Sequence, residues 1–420
     1  MKVVYLVGEF PRISKTFVID PIIRLLEEGH EVEIVGKRPR NEAGIHHEVV
    51  DQYNLLERTH YPPSIPDSYL SRFSLLLRYL ALELRRKPAR LIGIFQYILQ
   101  RLRAMLERGE RPRITPLLIA RPLFEIDYDV LHVHFGYNAI VAAELRRAGL
   151  IEGPLVVTFH GTDLNVYPKN HSDGVYEIVF AMSDVVTVGS EFSRGQLLGL
   201  GAPKEQIRVL PVGINLDHFV WTGSQKREEE KARVITVARL VEVKGIRYAI
   251  EAVARLREQG RSVQYWIVGD GPKRSELEAL VSSLGIGEST TFFGAVTKEK
   301  ILDFYKQAHL FLLPGVQSSS GAVETQGIVL AEAQAVGLPV IATNCGGMPE
   351  SIRNGESGVL VPPRDVDVLV DALENLLDAP HHWSEMGRKG RAYVRKRFNV
   401  DTQMKELLKL YRKLKGDKLS

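Results

Sequence analysis

Short apolar runs alternate along this chain with stretches whose apolar residues recur at helical spacing. Residues 2–7 form the first run. A Gly/Pro turn leads into a periodic stretch at 16–28, which Gly29-His30 ends, and 31–35 reads as the next strand. Further runs at 130–135, 155–159, 185–188 and 207–210 alternate with helical patterns at 137–148, 173–182 and 191–200. Runs that are apolar throughout belong to strands buried on both faces, and the amphipathic stretches between them supply the cover. The pattern predicts a parallel sheet flanked by helices.

A second series begins after the polar stretch 222–233, which contains Lys226-Arg227-Glu228-Glu229-Glu230-Lys231. Strand-like runs follow at 234–238, 263–268, 291–293, 310–313, 339–342 and 358–361. Helical patterns separate them at 245–259, 273–284, 298–308, 327–336 and 366–377. The expected fold class is α/β, with two doubly wound Rossmann-like lobes and a cleft between them. The divisions are 1–215 for the first lobe, 216–396 for the second, and 397–420 for a terminal helix returning to the first. Residues 66–125 break the rhythm of the first lobe with two helical patterns, 69–84 and 91–106, and read as an inserted helical hairpin.

A length of 420 residues suits two lobes better than one. With 45% apolar and 25% charged residues, the chain is neither largely disordered nor polytopic in a membrane. It has no run of eighteen apolar residues, and the apolar run at 3–7 is too short for a signal-peptide core. The single Cys345 excludes an internal disulfide. Together these suggest a cytoplasmic protein. The net charge of +4 hides a local excess: residues 70–121 hold twelve Lys or Arg against three acids, so the rest of the chain is net acidic. Three readings fit that segment. It binds anionic lipid headgroups, as a peripheral protein on the inner face of the cell membrane; it binds an acidic polysaccharide; or it is a solvated insertion. The first is favoured. No nucleic-acid module is present.

The candidate chemistry lies where strands end at the cleft. A dinucleotide fingerprint fails, because the first lobe offers only Gly8 and the second has Gly269-Asp270-Gly271 with Arg274 in place of the third glycine. No Walker A pattern occurs. Arg239 ends a predicted strand and Lys244 stands at a helix entrance five residues on, an arrangement suited to a diphosphate. Glu324 lies in a loop, Gly327 opens a helix, and Glu332 sits inside that helix among small and apolar neighbours. A carboxylate there can accept both hydroxyls of a ribose, while the N–H groups of Gly327, Ile328 and Val329 face a phosphate. His160 stands at a strand end, followed by Gly161-Thr162-Asp163. Asp127-Tyr128-Asp129 and Asp365-Val366-Asp367 could suggest metal binding, but each stands at an element start and reads as structural. His132 and His134 share one strand face with no acidic or sulfur partner, so no metal is expected there.

These pieces together resemble the retaining glycosyltransferases of the GT-B fold known as family 4, over nearly the whole chain. Glu324 and Glu332 match the family's E-x7-E signature, Arg239 and Lys244 its diphosphate-binding cations, and His160 its active-site histidine. Gly327 to Val329 match the backbone that contacts donor phosphate and sugar, and Phe293-Gly294-Ala295-Val296 the segment lining the nucleobase. The commoner Gly-Phe-Gly after the first glutamate is here Thr325-Gln326-Gly327. Glu-Thr-Gln-Gly, with Phe10-Pro11 and Ser14-Lys15-Thr16-Phe17, looks like a subgroup that makes exopolysaccharide, colanic-acid-like or lipopolysaccharide sugars. The resemblance implies a UDP- or GDP-sugar donor, a glycan or lipid-linked acceptor, retention of configuration, and no metal or other cofactor. It implies that Glu324 and Gln326 hold the donor sugar, and that His160 positions the sugar or supports positive charge through its carbonyl. The alternatives are a nucleotide-sugar epimerase or phosphorylase on the same architecture, and a non-catalytic partner subunit.

Overall fold

The computed structural model describes residues 1–12, 16–39, 48–64, 68–108, 115–221 and 231–416. Ser14, Lys15, the run from Lys226 to Glu230, and Glu110, Arg111 and Arg113 of the basic segment lie outside the described residues. The first sheet holds β1 (Lys2–Glu9), β2 (Glu31–Lys37), β3 (Thr59–His60), β4 (Val130–His134), β5 (Leu155–Thr158), β6 (Val185–Val188) and β7 (Ile207–Val209), in the order β3-β2-β1-β4-β5-β6-β7. The second holds β8 (Ala232–Val237), β9 (Val263–Val268), β10 (Thr290–Gly294), β11 (Leu310–Leu313), β12 (Val340–Thr343) and β13 (Gly358–Val361), in the order β10-β9-β8-β11-β12-β13. Every pairing is parallel. Each sheet reverses direction of growth once, between β1 and β4 and between β8 and β11. Those are the switch points where such sheets bind ligands.

Burial explains the composition of the strands. β4, β6, β11 and β12 are buried at every residue, as strands covered on both faces must be. One strand end departs from expectation: Gly8 lies inside β1, which runs on to Glu9, so no turn begins there. β3 is a two-residue edge strand with no apolar run to announce it. The helix Trp383–Arg397 also escapes the periodicity, because its buried positions include Gly387 and Gly390. A Cβ on Gly387 would lie 2.1 Å from the Gly337 carbonyl oxygen, so this helix packs through its missing side chains onto the end of the helix Ile328–Val336.

The chain crosses between lobes twice at one place. Ile214 N donates to Phe398 O (2.6 Å), and Val400 N donates back to Ile214 O (3.1 Å). Beyond that crossing, the helix Val400–Lys415 lays Met404, Leu407, Leu408 and Tyr411 into the first-lobe core beside Val3, Tyr5 and Ile22. Each such side chain contributes about 1.5–3 kcal/mol by leaving water. Tyr411 reaches furthest, its hydroxyl 2.5 Å from His132 Nδ1.

The helices Tyr69–Arg86 and Arg90–Arg108 form the insertion, and both pack on the first lobe. Leu76, Tyr79, Ile94 and Tyr97 enter its core. Arg90 pairs with buried Glu83 (3.0 Å), and Arg101 with buried Glu144 (2.8 Å), which also accepts from the Tyr97 hydroxyl (3.1 Å).

Candidate functional site

The first-lobe wall is built around His160, two residues past the end of β5. Buried Asp163 shapes the turn: its carboxylate accepts from the backbone N–H of His160 (3.0 Å), Gly161 (2.7 Å) and Gly136 (2.9 Å). Burial pushes that carboxyl up from its ordinary range, and the N–H groups pull against the shift. The imidazole of His160 lies against Phe17 (centroids 4.5 Å apart) and Phe135 (4.6 Å), and stacks on His134 at 5.1 Å. A hydrogen bond joins His134 Nδ1 to His160 Nε2 at 2.9 Å, one ring donating to the other. Phe135 adopts a left-handed backbone (φ 71°) to bring its ring there, a conformation that costs a residue with a side chain about 1–3 kcal/mol. His132, on the same strand face, is fully enclosed between Tyr411 and Thr158, and burial drives its imidazole down to about 3, so it is neutral.

The second-lobe wall starts at the end of β8. The side chain of Arg239 is exposed there and forms no ion pair among the described residues. Lys244 closes a short turn before the helix Ile246–Glu258, and Gly245 caps that helix at φ 63°. A Cβ on Gly245 would fall 1.8 Å from Pro314 O, so this backbone approach requires glycine. The approach carries Lys244 onto Glu324, eighty residues away, where the two form an ion pair. Glu324 Oε1 accepts from Gly327 N (3.2 Å) at the start of the helix Ile328–Val336. Burial would hold Glu324 protonated. The Lys244 ammonium and the N–H groups of Gly327 and Gln326 overcome it and set the carboxyl below its usual range.

Just past Glu324 the loop crosses to the first lobe. The Thr325 hydroxyl donates to the His160 carbonyl (2.5 Å), and the Ser190 hydroxyl donates to Thr325 O (2.6 Å). Gln326 accepts from Val212 N (2.9 Å) and donates to Val212 O (3.0 Å). Nearby, Glu350 accepts from the first two N–H groups of the helix Glu191–Gly199 (2.9 and 2.8 Å) and is held by Arg397 (2.8 Å). Glu332 faces the cleft one turn further along its helix, beside Tyr305 (3.4 Å). Burial pushes its carboxyl up to about 7, against the pull of Lys298, while Asp20 of the first lobe adds to the rise. Lys298 and Asp20 pair across the lobes at 2.9 Å.

Several expected positions already hold protein partners. Both polar atoms of the Gln326 amide are engaged by the Val212 peptide of the first lobe. The Gly327 N–H already bonds Glu324, which leaves Ile328 and Val329 to present the helix start. The His160 carbonyl already accepts from Thr325. Gly269 (φ 135°) packs the end of β9 on Ala238, and Val296 rests on the second-lobe core. Asp129 accepts from Lys2 N (2.8 Å), and Asp365 caps Val368 N (3.1 Å), as structural residues do. Among the described residues no group of three His, Cys, Asp or Glu could hold a metal ion. The sequence names Asp163 and Thr325 only as neighbours of His160 and Glu324, without these partners, and offers no sign of Ser190 or Val212. The departure at Thr325-Gln326 and the shared face of His132 and His134 were the available signals.

Residues 98–218 match Glycosyltransferase Family 4, and residues 220–393 match Glycosyl transferases group 1. The chain is 29% identical to the amylovoran biosynthesis glycosyltransferase AmsK of Erwinia amylovora, over 99% of this chain and 100% of that protein. It is 30% identical to the putative colanic acid biosynthesis glycosyltransferase WcaL of Escherichia coli strain K12, again over 99% and 100%. Among solved structures it is similar in fold to Anabaena HepE in complex with UDP, with a TM-score of 0.70, 18% identity, and 98% and 100% of the two chains covered.

Proposed function

Since this chain belongs to the glycosyl transferases of group 1, we propose that it moves a sugar from UDP or GDP to a glycan or lipid-linked saccharide in surface polysaccharide synthesis. The observation that carries the reading is the Lys244–Glu324 pair seated at the start of the helix Ile328–Val336, with Thr325 joining the same loop to His160. A diphosphate entering the cleft meets an ammonium, the exposed Arg239 guanidinium and the N–H groups of Ile328 and Val329. Breaking the bond from C1 to the phosphate oxygen leaves negative charge on the distal phosphate and an oxocarbenium-like sugar. Those cations and dipoles stabilise the first without a metal.

Retention then follows a front-face course: the acceptor hydroxyl attacks C1 from the side of departure, and its proton passes to the leaving phosphate oxygen. Glu324 is ionised and already engaged by Lys244 and Gly327, which favours holding sugar hydroxyls over nucleophilic attack. The His160 ring forms the wall opposite, and Glu332 in its ionised form accepts ribose hydroxyls. The lipid-linked acceptor reading places the first lobe at a membrane surface.

Thermal shift and calorimetry with UDP- and GDP-sugars, followed by transfer to a lipid-linked or free glycan in EDTA, test this. One donor should stabilise the protein, and transfer should persist in the chelator with the anomeric configuration kept. Absence of any donor-induced shift, or activity that returns only with magnesium, would overturn it.

A further inference from the structure

Eight of the fifteen large apolar side chains that stand exposed among the described residues lie on the two inserted helices. On the helix Arg90–Arg108 they are Ile92, Phe95, Leu99, Leu102 and Leu106, at steps of three, four, three and four. That spacing puts all five on one stripe, about 21 Å long at 1.5 Å per residue. Ile92, Phe95 and Leu106 are 65%, 67% and 80% exposed, while Ile94 and Tyr97 on the other side are buried in the first lobe. The helix therefore has two apolar faces, and its own lobe covers one. Leu77 and Leu84, two turns apart on the helix Tyr69–Arg86, are exposed as well. Scattered exposed leucines are ordinary, but a continuous stripe is not.

Charge selects what covers it. Arg78, Arg85, Lys87 and Arg103 are exposed and form no ion pair among the described residues. Of the acids on these two helices, Glu83 is buried under Arg90, and Arg101 turns inward to Glu144 on the helix Gly136–Arg147. A second copy meeting this one through the same face would set arginines against arginines. An anionic lipid surface is complementary to both features. We propose that this face docks the protein on an anionic membrane, the stripe entering the boundary between headgroups and acyl chains and the basic side chains resting on the headgroups. The proposal deepens the reading of a lipid-linked acceptor and rests on it for its purpose. Because apolar insertion is not screened by salt, attachment is of mixed character rather than purely ionic.

The full-length protein is floated with vesicles of phosphatidylglycerol and phosphatidylcholine (3:7), and with phosphatidylcholine alone, at 0.1 and 0.5 M salt. Donor binding by thermal shift and mass by sedimentation are read in parallel. The protein should float with the acidic vesicles at least tenfold more strongly than with neutral ones, and should keep part of that binding at high salt. Phe95→Ser with Leu106→Ser should lower flotation at least tenfold with the donor shift unchanged, and Arg78→Glu with Arg103→Glu should remove the preference for acidic lipid. The proposal is overturned by no flotation, by flotation indifferent to these substitutions, or by a wild-type dimer that Phe95→Ser dissolves. A protein that floats but binds no donor upholds this surface and removes the transferase reading instead.

Discussion

Glu332→Gln separates stability from function at one atom of the site. The native carboxyl is raised from 4.5 to about 7 by burial, with Lys298, Asp20 and Tyr305 as its neighbours. Below pH 4.5 folded and unfolded chains both carry the proton, and the fold has its full stability. As pH rises toward 7 the unfolded chain releases the proton first, so stability falls by about 1.4 kcal/mol per unit. Above 7 the loss levels off at about 3 kcal/mol. Glutamine keeps the shape and never ionises. The variant should therefore be more stable than the parent by up to about 3 kcal/mol at pH 8, and by under about 0.5 kcal/mol at pH 4.5. In thermal melts of a 420-residue chain, at about 1 °C per kcal/mol, this is a gap of about 3 °C that closes on acidification. Donor affinity should move the other way, because an amide cannot accept from two ribose hydroxyls with both atoms. A gap independent of pH, or a variant less stable at pH 8, would refute the burial argument. Unchanged donor affinity would refute the ribose role.

Lys244→Met should cost about 3–5 kcal/mol, because it leaves Glu324 charged and enclosed without its partner. Adding Glu324→Gln should restore most of the stability measured by urea unfolding but none of the transfer, and a double variant as weak as the single would break the pairing. Gln326→Ala leaves the N–H and C=O of Val212 unpaired, for a loss of about 1–3 kcal/mol. Its turnover should drop more than its donor affinity, and equal losses would mean that the loop serves binding alone. For His134, asparagine keeps a polar group near Nδ1 while phenylalanine keeps the stacked ring. Transfer should be about tenfold faster in His134→Asn than in His134→Phe if the hydrogen bond to His160 matters, and the reverse order would assign the residue to packing.

Lobes, strand order class and the loop-and-helix setting of Glu324 and Glu332 were legible because they are written in local periodicity. A run such as Leu310–Leu313 is apolar at every position and too short for a helix of its own, as a strand covered on both faces is built. Where the pattern lacks apolar residues it says nothing. The helix Trp383–Arg397 hides its buried face in two glycines, and the edge strand Thr59–His60 is too short to repeat.

The chain alone placed an acid, a lysine, an arginine and a histidine at strand ends and helix starts. It also determined that positive charge gathers on the inserted helices. The tertiary structure decided which of these groups meet. Lys244 finds Glu324 across eighty residues, and Thr325 and Gln326 find the His160 carbonyl and the Val212 peptide in the other lobe. It also decided that the basic helices keep a second apolar face in solvent. The reason is physical. Periodicity records whether a side chain is buried, a property of its own element, whereas a hydrogen-bond partner depends on how two separately folded sheets are set against each other.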